Sequence, residues 1–98
     1  MNETFIKEIM VFCGITWDSE DTKGQIVSIM DDGIEEFKDW FGEDINVEKP
    51  GNIRKLFKNY CKYGYYDQLE DFKRNYQSDI LRERLRYEVK FHEEKKDN

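Results

Sequence analysis

A chain of 98 residues with 15% aromatic side chains can build one modest hydrophobic core but not two, and it is better supplied for folding than for disorder despite 39% charged residues. Its net charge of −6 disfavours tight non-specific binding to nucleic acid, whose affinity comes from neutralising phosphates. No apolar run approaches the roughly 18 residues of a membrane span, and the acidic start Met1-Asn2-Glu3 lacks the features of a signal peptide, so a cytosolic chain is expected.

One proline and six glycines predict long uninterrupted elements, and the spacing predicts helices throughout, with no convincing alternating strand. The first helix spans about Glu3 to Phe12, with Phe5, Ile6, Ile9, Met10 and Cys13 on one side and Gly14 just past its end. The segment Ile15-Thr16-Trp17-Asp18-Ser19-Glu20-Asp21 then forms a turn into a second helix. Asp18 or Ser19 can cap that helix, and Glu20 and Asp21 complement its dipole.

The second helix is the best supported. Ile26, Ile29, Met30, Ile34, Phe37, Trp40 and Phe41 step by three or four, and Gly42 stops the run. Gly33 falls on the same stripe. A glycine inside a helix costs about 1 kcal/mol against alanine, so its presence implies close approach by another helix.

Glu43 to Lys49 reads as a loop, with Ile45 and Val47 pinned to the core. Pro50, in a first helical turn, and Gly51-Asn52 open a third helix whose stripe is Ile53, Leu56, Phe57, Tyr60, Cys61 and Gly64. The chain turns between Tyr63 and Asp67, where Asp67 can cap a fourth segment with Glu70 completing a capping box. Leu69, Phe72, Tyr76 and Ile80 continue at helical spacing before the phase shifts to Leu81 and Leu85, which predicts a break near Gln77-Ser78. Tyr87, Val89 and Phe91 alternate with charges, as a short strand or an arm lying on a neighbour would, and residues 92–98 read as a disordered charged tail. The expected architecture is all-α: one compact domain over residues 1–91, a bundle of four to five helices with an extended C-terminal arm.

Catalytic and metal-binding patterns are weak. His92 stands alone near the end, no serine has a base at a useful spacing, and the glycines form no phosphate loop. Cys13 and Cys61 lack a Cys-x-x-Cys arrangement and read as small buried hydrophobes. Asp18, Glu20 and Asp21 could bind a divalent cation, but their place before a helix accounts for them. Lys58-Asn59-Tyr60-Cys61-Lys62-Tyr63-Gly64-Tyr65-Tyr66 mixes bases with aromatics, as single-strand nucleic-acid platforms do, although Tyr60 sits on the core stripe. These residues predict no enzyme, no cofactor and no metal.

Charge is polarised. Residues 1–50 hold 13 acids and 4 bases, a balance of −9, whereas residues 51–98 hold 9 acids and 12 bases, a balance of +3. Asp31, Asp32, Glu35, Glu36 and Asp39 line the outer face of the second helix, while Arg82, Arg84, Arg86 and Lys90 spread over several faces. Solvated faces explain such polarity; so does a chain whose acidic side meets the basic side of a neighbour.

The ordered set of a first helix ending at Gly14, Ile15-Thr16-Trp17-Asp18 with its acidic cap, the long helix to Gly42, and Tyr63, Leu69, Phe72, Asn75-Tyr76, Ser78, Leu81 and Arg86-Tyr87-Glu88-Val89 resembles the small helical head–tail connector ("DNA-packaging") proteins of tailed phages and prophages, over about residues 5–90. Gly64 and Tyr65-Tyr66 depart from that pattern, at a turn where those proteins tend to carry asparagines and small residues. The resemblance implies a structural subunit of the virion neck, made in the bacterial cytoplasm. It would join a ring, dodecameric in the virion, under the portal protein, extending the DNA channel and receiving the next neck or tail-completion protein. DNA would be a passing, non-specific contact, with no membrane partner. Candidate subunit contacts are Asp32, Glu36, Arg82, Arg86, Tyr87, Val89 and Phe91. The competing reading is a small helical DNA-binding or regulatory protein of a prophage.

Overall fold

A computed structural model describes residues 2–15 and 20–96, with side chains described through residue 88. Five helices follow one another: α1 (Glu3–Phe12), α2 (Glu20–Phe41), α3 (Asn52–Tyr65), α4 (Leu69–Asn75) and α5 (Gln77–Lys96). The all-α expectation holds, and the described residues contain no strand. Asp18 and Ser19, expected to cap α2, lie outside the described residues.

The helices pack because their apolar stripes converge. Phe5, Ile9 and Met10 of α1, Ile26, Met30 and Phe37 of α2, and Ile53, Phe57, Tyr60 and Cys61 of α3 form one buried cluster. Phe72 of α4 joins it, and Val47 and Ile45 pin the α2–α3 loop as expected, the second only partly buried. Phe37 lies at the centre of the cluster, with edge-on contacts to Phe57 at 5.3 Å and Tyr60 at 5.8 Å between centroids.

The α2–α3 seam is close because glycine permits it. A Cβ on Gly33 would sit 2.7 Å from Cε1 of Tyr60, closer than real side chains approach, and 3.0 Å from Cε1 of Phe57, where the ring would have to give. The predicted close approach is therefore present, and its partner is α3. Gly64 repeats the device at the other end of the seam, where a Cβ would meet Cγ2 of Ile29 at 2.9 Å.

Two helices end alike with different residues. At the end of α1, Ile15 N–H donates to the Met10 carbonyl at 2.9 Å and Gly14 N–H to Val11 at 3.0 Å, with Gly14 at φ +76°. At the end of α3, Gln68 N–H donates to Tyr63 at 2.7 Å and Asp67 N–H to Gly64 at 3.1 Å. Both are paired Schellman closures, but the second puts Asp67 at φ +58°. Asp67 thus terminates α3 and does not cap α4. The residue before α4 is Gln68, which makes no side-chain cap bond, so the expected capping box is absent.

Other boundaries shift for local reasons. Helix α3 begins at Asn52 behind Gly51, whose φ of +143° places Pro50 outside the first helical turn. The break in the last third falls at Tyr76, one residue before the expected position. Beyond it the core-facing positions are Ile80, Glu83 and Tyr87, while Leu81 and Leu85 point outward, each 54% exposed. The apparent phase shift therefore marks an exposed apolar row, not a continuing core stripe.

The C-terminal arm is helical and not a strand, and α5 runs through Lys96 into the expected tail. No glycine or proline interrupts residues 77–96, and Arg82–Asp79 and Arg86–Glu83 pairs support the helix one turn apart.

Candidate interaction surfaces

The outward face of α2 carries the acids. Asp31, Asp32, Glu35 and Asp39 are exposed, spaced so that they form one ridge opposite the buried Met30, Gly33 and Phe37. Glu35 pairs with Lys38 at 3.5 Å; Asp31, Asp32 and Asp39 have no ion pair among the described residues. Like charges at this spacing cost a few tenths of a kcal/mol per pair, a cost that a basic partner would relieve.

Glu36 is different. It is half-buried at the flank of the ridge, where the Tyr60 hydroxyl donates to its Oε2 at 2.9 Å and Lys73 Nζ lies 3.2 Å from Oε1. The carboxylate thus ties α2 to α3 and α4 within one chain. Tyr60 is 2% exposed, so its ring is in the core and only its hydroxyl reaches a polar partner, as expected. Burial, then the hydrogen bond to Glu36 and the negative charge of Glu36 and Asp32, push the Tyr60 phenol well above its ordinary range.

The basic candidates on α5 are braced locally. Arg82 pairs with Asp79, and Arg86 Nη1 lies 3.2 Å from Oε1 of Glu83. Glu83 is only 4% exposed and also accepts from Asn52 Nδ2 at 3.0 Å, linking α5 to the start of α3. Sequence reading missed this residue. The signal was present: Tyr76, Ile80, Glu83 and Tyr87 follow helical spacing, which places Glu83 on the inward stripe of α5. Tyr87 packs on Phe41 with ring centroids 5.9 Å apart, so much of its ring is used within the chain. The side chains of Val89 and Phe91 lie outside the described residues.

The structure therefore separates the candidates into classes. Asp32 is an unpartnered surface acid, Glu36 and Tyr87 take part in packing, and Arg82 and Arg86 are exposed cations held by neighbouring carboxylates.

Two open grooves flank α5. One, of about 530 Å³, is lined by Trp40, Glu70, Lys73, Arg74, Ile80, Leu81 and Arg84 among others; the second, of about 250 Å³, lies between α3 and α5 beside Glu83 and Arg82. A third exposed feature joins α1 to α3, where Lys58 and Lys62 Nζ sit 5.3 and 5.5 Å from the centroid of Phe12. Neighbouring Val11 is exposed there as well.

Protein-family models, curated proteins and solved structures were all compared with this chain, and none matches. No group of three or more metal-ligating side chains comes together among the described residues, and no helix among them is long and apolar enough to cross a membrane. Cys13 and Cys61 are both buried free thiols, and burial raises Cys13 to about 11 and Cys61 further. Protonated thiols of this kind are poor nucleophiles and behave as core hydrophobes.

Proposed function

We propose that this chain is a structural, non-enzymatic subunit: a head–tail connector of a tailed phage or prophage that joins copies of itself in a ring beneath the portal. The observation that carries this reading is the unpartnered carboxylate ridge of α2, Asp31, Asp32 and Asp39, carried on a different helix from the exposed cations Arg82 and Arg86 of α5. Two unlike complementary faces on one subunit make head-to-tail contacts, and such contacts close into rings when the rotation between copies allows it.

In this reading Asp32 meets the Arg82–Arg86 side of the next copy, extending the i, i+3 pairs that already hold those arginines. Glu36 contributes indirectly by holding α2 against α3 and α4. The portal and the next neck or tail-completion protein bind the two ends of the ring, and DNA passes through without specific contact.

The test is co-purification with the portal protein encoded beside this chain, followed by imaging. Wild-type chain is expected to form rings on the portal, and Asp32→Lys to lose them while keeping its helical content. Normal rings from Asp32→Lys would count against the ridge as the contact. A gene neighbourhood lacking portal, capsid and tail genes would remove the connector reading itself.

A further inference from the structure

The larger groove has a composition that the ring contacts do not use. Trp40 from the end of α2 and Ile80 from α5 supply half-buried apolar surface, and Leu81 stands at the rim. Leu85 follows one turn later on α5, and both leucines are 54% exposed. Lys73, Arg74 and Arg84 lie in its lining with the acid Glu70. Lys73 is anchored by Glu36 at 3.2 Å and Arg74 by Asp71 at 2.9 Å, whereas Arg84 has no ion-pair partner among the described residues. The groove lies where α4 gives way to α5 at Tyr76, against the end of α2.

We propose that this groove docks an acidic amphipathic helix from a different protein, with large apolar residues one turn apart and carboxylates beside them. Two leucines spaced i, i+4 form a row that a second helix can match with its own i, i+3 or i+4 apolar residues. The cations at the edges select carboxylates around that apolar stripe.

A second copy of this chain fits poorly. Its exposed α2 ridge is acidic but shows Ser28, Asp32, Glu35 and Asp39 with no large apolar side chain among them. Its other exposed apolar patch, Val11 and Phe12, is flanked by Lys58 and Lys62 and carries the same sign of charge as the groove. Nucleic acid is disfavoured too, because α2 brings its acidic ridge alongside Trp40 and the whole chain is at −6. This assignment does not depend on ring formation and is tested on the isolated full-length chain.

The probe is a capped peptide of about 15 residues, near the length at which isolated helices gain stability. It carries leucines at i, i+4 and i+7, glutamates beside them and alanines elsewhere. Binding is followed by the emission of Trp40 in a Trp17→Phe background, which leaves one indole. A saturable spectral shift is expected, weakened at least about tenfold by Arg84→Glu and by Leu81→Gln with Leu85→Gln, as for central interface residues. The same peptide with lysines replacing the glutamates is expected not to bind. Thermal melts of the variants check that folding is retained, since all three positions are at the surface.

The proposal is overturned by no shift with the acidic peptide or by equal binding of the lysine peptide. It is also overturned if the shift comes only from a single-stranded oligonucleotide, or if self-association seen by light scattering already occupies Trp40.

Discussion

The α2–α3 seam and the α4–α5 limb are both helical, yet they are built on opposite terms. In the seam, helices approach until no Cβ fits at Gly33 or Gly64, and Phe37, Phe57 and Tyr60 interlock at ring distances of 5.3 to 6.4 Å. In the limb, α5 turns Ile80, Glu83 and Tyr87 inward but leaves Leu81 and Leu85 in solvent and secures Arg82 and Arg86 through pairs one turn apart. Close packing makes the seam intolerant of added atoms, whereas the open limb has chemistry to offer a partner. Close packing and exposed apolar surface are thus divided between two parts of a small chain.

The sharpest way to break this comparison uses two glycines in the same helix. Gly33→Ala adds a methyl group against Tyr60 and Phe57 and is expected to destabilise by about 1–3 kcal/mol, the usual cost of overpacking. Gly24→Ala adds the same group where nothing lies within 4 Å, and a gain of about 0.5–1 kcal/mol from helix propensity is expected. Urea unfolding of both variants checks the pair. Equal effects would mean that α2 does not meet α3 as closely as described.

A second test raises the pH. Burial lifts Cys13 from 9.0 to about 11 and also raises Cys61 and Tyr60, so the folded chain keeps protons that the unfolded chain releases first. Stability from the thiols is therefore present below about pH 9 and lost as pH climbs through the folded values, with Tyr60 adding to the loss from about pH 10. The melting temperature is expected to fall over this range, and to fall less steeply in Cys13→Ala. A flat profile would show that these groups are not buried on folding.

The smallest effect lies where the seam passes into the limb. Asp67 holds φ at +58°, which glycine adopts without strain, so Asp67→Gly is expected to stabilise by about 0.5–1 kcal/mol in thermal melts. A loss of stability would indicate that the Asp67 side chain contributes more than its backbone costs.

Much of the seam was legible in the residue order. The stripes from Phe5 to Met10, Ile26 to Phe41 and Ile53 to Cys61 have helical spacing, and Gly33 on such a stripe signals a close neighbour. The limb was less legible because its charges and leucines satisfy more than one geometry. Tyr87, Val89 and Phe91 alternate as a strand would, yet the same residues belong to a helix supported by neighbouring turns. Asp67 followed by Glu70 fits a helix start, but the preceding helix claims Asp67 for its own termination through the Gln68 and Asp67 N–H groups. Glu36 was readable as a surface acid and not as the carboxylate that receives the Tyr60 hydroxyl, since nothing local joins positions 24 residues apart.

Composition and spacing by themselves determined an all-helical chain, the inward faces of α1 to α3 and the polarity of charge, because periodicity and side-chain type act within a few residues. Tertiary structure decided which charges are already satisfied, which leucines remain outside the core and where a groove opens beside Trp40. Those outcomes depend on how separate helices meet, and packing between distant segments leaves no repeating signature along the chain.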